Sequence, residues 1–495
     1  MHKNQYLIST EKAIKLLPNY SEKRLGKLNI YIESSLPFHY KTFQNREIVI
    51  LGIFFDPLRP SFSGESLLEK VIPKNADIKS FLKIIEKFSG RFVAIFRDND
   101  SYFVAGDFKH SKKILYAFQD QFSIITSSLN LYYDLFKEKP NYNPKLKSFF
   151  ESDLFRSKEQ DWYGNKTVDV NFKKLLPNHY LNVLTQEISR IPFTQKKKSF
   201  DEVLEINFEI LKGTYDYLIN HHKIIQPITA GWDSRILLGA SMRYKELIKY
   251  YIFRRPNNEE SSDVILSQKI SKALDLNFSV YDVEDFKPDF IAAYKSHNLL
   301  QNFLLKVRDI QYHYHNHQNV DKLINVSGVS GNLLRNVFGC TNRIVIDKKE
   351  LHCLNPYGPY LDVTTHEIDL WYDDALDYAK SNNISLLDIF YIENRAANWG
   401  SIYPFEQDIA LDEIDPFSNK SLMFPVLLLN SEYRGFGKNH LSWKLLERFD
   451  SSLCKFPFNP HRSAIRMFFY KKYYTNLLYK KLKFKKAKYF KKLKL

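Results

Sequence analysis

Residues 223–244 read KIIQPITAGWDSRILLGASMRY, and the change of character inside this stretch decides the fold. Residues 223–228 form a short apolar run that reads as a buried strand, 229–234 a turn of small and hydroxylated residues, and 235–244 an amphipathic helix. Ala230 and Gly231 let the backbone approach a ligand closely, and Thr229 and Ser234 add hydroxyls. The first turn of the helix offers unpaired N–H groups at the positive end of its dipole, so a phosphate is the natural guest. Asp233 repels a phosphate unless a cation such as Mg²⁺ stands between them. The stretch therefore predicts a metal nucleotide bound through its pyrophosphate. An ordinary strand-to-helix turn capped by Asp or Ser would use the same residue types without any ligand.

No G-x-x-x-x-G-K-[ST] motif occurs here, which excludes a Walker loop. Instead Thr229-Ala230-Gly231-Trp232-Asp233-Ser234 resembles the S-G-G-x-D-S pyrophosphate loop of the asparagine synthetase family, with Thr for the first Ser and Ala for the first Gly. The resemblance implies ATP and Mg²⁺ as cofactors. It places Thr229, Ala230, Gly231, Trp232 and Ser234 around the phosphates and makes Asp233 both a catalytic residue and the metal ligand.

Downstream the pattern alternates strand and helix: 249–253, then 263–274, then 277–283. That is the signature of a parallel, doubly wound sheet whose ligands sit at the carboxyl ends of strands. By the resemblance, adenine lies near Ile252 and Phe253. Residues 327–333, SGVSGNL, match the small residues of the family's second signature, S-G-x-G-x-D-E, so Ser327 and Gly328 would close the phosphate site. Asn332 and Leu333 stand where the family has its acidic pair. Arg395 falls where the family has an Arg-bearing helix and would clamp a phosphate or carboxylate, or else make a surface salt bridge. Lys444 and Lys455 are alternative basic groups for pyrophosphate. Asp263 reads as a helix N-cap. His313 and His317, four apart on a helix, could share a metal but have no third ligand at recognisable spacing, and a solvated or partner-facing helix is the preferred reading.

The first 190 or so residues are rich in strands: 28–34, 47–55, a hairpin 91–97 and 101–105 around Asp98-Asn99-Asp100, and a second pair 114–118 and 122–126. With a helix over 78–88 they predict layered α+β packing. Gly90 to Ala94, Gly106-Asp107, Ile114-Leu115-Tyr116 and Ile125 to Ser128 are similar, in order and spacing, to the glutaminase domain of asparagine synthetases. That family uses an N-terminal cysteine as nucleophile; this chain has His2 there and its first cysteine is Cys340. The expectation is a retained fold without glutamine hydrolysis.

The chain has 495 residues, enough for two or three domains. Its net charge of +16 is concentrated at one end: residues 471–495 hold eleven Lys and no acid. This interleaving of Lys with Leu, Phe and Tyr fits either an anionic membrane surface or a disordered tail. Cys340, Cys353 and Cys454 lack paired spacing, which argues against zinc and disulfides, and no signal-like or membrane-length apolar run is present. A cytoplasmic protein is expected, with peripheral contact at the inner membrane face if the tail engages lipid.

The expected organisation is an α+β Ntn-hydrolase-like sandwich over 1–195, an α/β parallel-sheet PP-loop domain of the adenine nucleotide alpha-hydrolase-like kind over 196–465, and the basic tail over 466–495. The resemblance implies an ATP-dependent amide-forming ligase that activates a carboxylate as an acyl-adenylate and takes its nitrogen from ammonia or an amine. Aspartate is one candidate acceptor among many. A non-catalytic nucleotide-binding scaffold is the alternative. An RNA-modifying enzyme comes third, and no nucleic acid is expected as a partner.

Overall fold

The computed structural model describes residues 2–119, 122–157, 162–255, 261–299, 305–358, 360–435, 439–460, 468–469 and 471–493. Twelve strands build two antiparallel six-stranded sheets. The first contains β1 (Tyr6–Ser9), β2 (Tyr20–Leu25), β3 (Leu28–Glu33), β8 (Leu115–Phe118), β9 (Ser123–Thr126) and β10 (Lys173–Lys174) in the order β10-β8-β9-β1-β3-β2. The second contains β4 (Phe38–Phe43), β5 (Arg46–Phe55), β6 (Ser89–Asp98), β7 (Ser101–Gly106), β11 (His179–Asn182) and β12 (Glu187–Arg190) in the order β12-β11-β7-β6-β5-β4. The hairpin expected around residues 98–100 is present, with Asp98 opposite Ser101.

Alternation of side chains explains the layering. Val49 and Leu51 of β5, with Val93 and Ile95 of β6, face Ile8, Ile30 and Ile125 of the other sheet. Their neighbours Ile48, Ile50, Ala94 and Phe96 point outward, where α1 (Gly64–Val71) and α2 (Ile78–Ile85) cover them with Leu67, Leu68, Phe81 and Leu82. On the opposite side α3 (Leu129–Phe136), α4 (Pro144–Phe150) and the short α5 (Asp153–Ser157) cover Leu7, Tyr31 and Ile124. The result is a four-layer αββα sandwich. Both faces of the central strands are buried, which is why β5 and β6 read as near-continuous apolar runs.

After α6 (Phe200–His221), begun by a Ser199–Glu202 capping box, comes a five-stranded parallel sheet. Its strands are β13 (Lys223–Pro227), β14 (Ile248–Arg254), β15 (Phe278–Asp282), β16 (Leu323–Val326) and β17 (Asp412–Ile414), in the order β15-β14-β13-β16-β17. Helices α6, α7 (Trp232–Ser241) and α8 (Ser262–Leu274) pack on one face. On the other, α9 (Pro288–His297) and α10 (Leu305–His317) cover Ile225, Tyr251 and Tyr281. The chain thus has the two-part architecture of antiparallel sandwich and parallel α/β sheet.

Three local expectations change. Helix α7 starts at Trp232 rather than Arg235, because Gly231 takes the extended N-cap conformation, and it tightens into a 3₁₀ turn, Met242–Leu247. Ser261, not Asp263, caps α8. The lysine-rich end is not a free tail: it forms the helix Tyr473–Leu493, with Tyr473 and Leu477 buried and Asn476 donating to the carbonyl of Phe338 at 2.9 Å. Tyr474, Leu478 and Leu482 on the same helix remain exposed. Among the described residues no helix is long and apolar enough to cross a membrane.

A seam of buried charge joins the two parts. Arg91 of β6 grips Asp408 with two hydrogen bonds of 2.5 and 2.7 Å, both side chains being buried. Lys112 stands 3.6 Å from Asp408, and Asn4 donates to Asp408 and Asp412. Lys109 meets Asp415 at 2.8 Å. Farther along, Arg190 pairs with the buried Glu393 at 2.7 Å. Burial opposes ionisation of Asp412, but Lys112 and Arg91 outweigh it and hold the carboxyl below its usual range. That contribution is complete above the ordinary carboxyl range near pH 4 and is lost as the pH falls through the lowered value. Because removal of one partner strands a buried charge, Arg91→Met is expected to lower the unfolding free energy by about 3–5 kcal/mol in urea titrations. A change under about 1 kcal/mol would show that the pair is solvated.

Candidate functional site

Strand β13 leads into the middle of the parallel sheet, with β14 on one side and β16 on the other. Numbered in chain order the strands run 3-2-1-4-5, so the direction of winding reverses between β13 and β16. In such sheets the connections from the two strands diverge to opposite faces and leave a crevice at their carboxyl ends. The two small-residue loops, 229–234 and 327–331, follow these two strands.

The first loop is held by its own side chains. Thr229 Oγ1 lies 2.7 Å from Ser234 Oγ, which also accepts from the Thr229 amide, and Thr229 Oγ1 accepts from the Gly231 amide at 3.1 Å. Asp263, in the first turn of α8, accepts the Ala230 amide at 2.7 Å. The amides of Thr229, Ala230 and Gly231 are therefore satisfied within the protein. Trp232 turns to the C-terminal segment, where its indole stacks on Phe458 with centroids 3.7 Å apart. Arg235 lies over the same ring at 4.2 Å and donates to the carbonyls of Phe456 and Pro457. The indole is used for packing and does not wall the crevice.

The second loop lies against the first. A Cβ added to Gly331 would come within 2.8 Å of the Asp233 carboxyl carbon, so glycine is needed there, and one on Gly328 would lie 3.3 Å from Asp233 Cβ, a tight contact. Ser327 donates to Glu413 at 2.7 Å, and the Ser330 amide donates to Asp415 at 2.8 Å. Asp415 is the carboxylate that Lys109 of the sandwich reaches. Burial raises the Glu413 carboxyl, with Lys109 and Ser327 opposing.

Asp233 is ion-paired with Arg335, whose guanidinium also donates to Asn332 Oδ1 at 2.8 Å. This arrangement does not fit Mg²⁺. The charge of Asp233 is matched by a guanidinium, the oxygen of Asn332 faces the same cation, and Leu333 has no donor atom. Among the described residues no cluster of three His, Cys, Asp or Glu could hold a metal.

Ile252 and Phe253 are adjacent on β14 and therefore point to opposite faces of the sheet. Phe253 lies among Tyr251, Tyr281, Tyr312 and His313, so the two side chains cannot together sandwich one adenine. Arg395 lies on a wide π-helical segment, Tyr391–Gly400, with its guanidinium 5.2 Å from the Trp399 ring. That segment touches the second loop where Gly400 meets Val329. Lys444 pairs with Glu447 at 2.8 Å on an exposed helix face. His313 is buried, not solvated; it lies 2.9 Å from His317, and burial lowers both imidazoles. His2 is buried as well and bonds Asp134 at 2.6 Å, with burial lowering its imidazole.

Sequence reasoning gives Asp263 only a capping role and does not find Arg335 or the Lys109–Asp415 link. Arg335 had a readable signal, since it stands two residues beyond Leu333, where the acidic pair has been exchanged for neutral residues.

No protein-family model matches the chain, and no curated protein matches it. Among solved structures it is similar to the glutamine phosphoribosylpyrophosphate amidotransferase from B. subtilis complexed with ADP and GMP, at 8% identity over 67% of this chain and 71% of that one, with a TM-score of 0.23. An allosteric regulatory enzyme of purine biosynthesis gives 7% identity over 74% and 73%, with a TM-score of 0.24. The glutamine-dependent NAD⁺ synthetase from Acinetobacter baumannii in complex with ADP gives 9% identity over 36% and 38%, with a TM-score of 0.18. Superpositions this loose do not define a shared fold, and the architecture above rests on the chain's own strand order.

Asp263→Ala leaves the Ala230 amide without an acceptor. It is expected to cost about 1–3 kcal/mol in denaturant unfolding and to speed hydrogen exchange across 229–234. Unchanged exchange there would mean that the loop is held by other contacts.

Proposed function

We propose that the crevice between residues 229–234 and 327–331 binds the phosphates of ATP and that the protein is an ATP-dependent, amide-forming ligase of the asparagine synthetase type. The observation that supports this reading is the apposition of two small-residue loops at the switch point of a 3-2-1-4-5 parallel sheet, with Arg335 between them as countercharge. A phosphate would replace Ser234, Thr229 and Asp263 as acceptor of the loop amides, and Arg335 would exchange Asp233 for phosphate oxygen.

In the reaction, a substrate carboxylate oxygen bonds to the α-phosphorus while the bond to the bridging oxygen breaks, and pyrophosphate leaves with that electron pair. Ammonia or an amine then attacks the acyl carbon, AMP departs and the nitrogen loses a proton. The protein's part is positioning and neutralisation of the leaving pyrophosphate. No step is assigned to Mg²⁺, because the donor set does not fit it.

One observation favours a second reading. The Arg335–Asp233 pair, with Asn332 and Leu333 in place of acids, is what a nucleotide-binding scaffold without catalysis would keep. Exchange of labelled pyrophosphate into ATP, run across a panel of acids with and without Mg²⁺, separates the two. The ligase reading expects exchange that depends on one acid and falls about a hundredfold in Arg335→Met. Saturable ATP binding with no exchange for any acid would leave the scaffold reading, and absence of ATP binding would remove both.

A further inference from the structure

A cavity of about 150 Å³ lies where the outer face of the first sheet meets the segment around residue 400, and none of the crevice residues lines it. Its body is apolar, with Leu129, Phe150, Phe155, Trp162 and Phe405 as the largest surfaces. Among the described residues its charge is unbalanced: Lys113, Lys166 and Lys174 line it against Glu406. The Lys113 ammonium stands 3.8 Å from the centre of the Phe405 ring. Lys174 donates to the amide oxygen of Asn398 at 2.6 Å, a neutral partner, whereas Lys166 has its own carboxylate, Glu367, at 3.0 Å.

Hydrogen-bond capacity is unbalanced in the same direction. Trp162 Nε1 and Asn298 Nδ2 are buried at this cavity without an acceptor among the described residues. Buried N–H groups are almost always paired, so two orphan donors in one cavity call for a guest that brings acceptors. Burial pushes the Lys174 ammonium down to about 7 and that of Lys113 to about 8, the latter against the opposing charge of Glu406. An anion placed beside them would restore their ordinary range.

We propose that this cavity is a binding site for a small organic acid with an apolar, preferably aromatic, body. The carboxylate is met by Lys113 and Lys174 and by the orphan N–H groups, and the body rests against Leu129, Phe150 and Phe155. The site is separate from the nucleotide crevice and does not depend on the ligase reading.

Calorimetric titration of the full chain with phenylacetate tests it, with benzylamine as the probe of opposite charge. Saturable one-site binding of phenylacetate, without binding of benzylamine, is expected. Affinity should fall about tenfold or more in Lys113→Met, which removes a charge-assisted hydrogen bond, and a few-fold in Trp162→Phe, which removes only the N–H. It should stay unchanged in Lys485→Met, a lysine outside the cavity. Circular dichroism melts report whether the variants fold; if Lys113→Met does not, Leu129→Trp, which fills the cavity, is expected to abolish binding. Absence of saturable phenylacetate binding, equal binding of benzylamine, or native affinity in Lys113→Met or in Leu129→Trp would overturn the proposal.

Discussion

Lys109 of the sandwich and Asp415, one residue beyond the last strand of the parallel sheet, meet at 2.8 Å with both side chains buried, and the geometry of the crevice depends on this contact. A carboxylate in that position without a cation would be costly to keep ionised. With Lys109 present, the same oxygen can also hold the Ser330 amide. Ser330 fixes the turn in which Gly331 lies against Asp233, and Asp233 in turn fixes Arg335. One chain of contacts therefore runs from the sandwich to the loop 229–234.

The loop that supplies Lys109 is built for this purpose. Asp107 accepts the amides of Lys109 and Ser111 and the hydroxyl of Ser111, which folds 107–111 into a compact turn. From that turn Lys109 and Lys112 enter the seam, while Lys113 enters the cavity beside Phe405. The sandwich, whatever its own chemistry, acts as a template that presents cations to the acids at 408–415. Arg91 serves the same acids from the neighbouring strand.

The strands were legible because their side chains obey period 2 and their burial is simple; β5, β6, β13 and β14 fall within a residue or two of expectation. The turn at 229–234 was legible because small residues between a strand and a helix have few other uses. The partners of its amides were not, since Asp263 looks like any acid in a first helical turn. Strand β17 was missed because Asp412, Glu413 and Ile414 carry little strand propensity and look like exposed acids. Their burial depends on Arg91, Lys109 and Lys112, about 300 residues away in sequence, and no local pattern reports a pairing at that range. His313 and His317 were misread for a similar reason: helical spacing places them on one face but does not say that Tyr251 and Phe253 cover it.

Amide hydrogen exchange across 325–333 in Lys109→Met, read by mass spectrometry against the native chain, tests the central claim most directly. If the sandwich sets the second loop through Asp415, exchange at Ser330 and its neighbours rises by about tenfold or more while the strands of the sandwich stay protected. Exchange in this loop equal to that of the native chain would contradict the account.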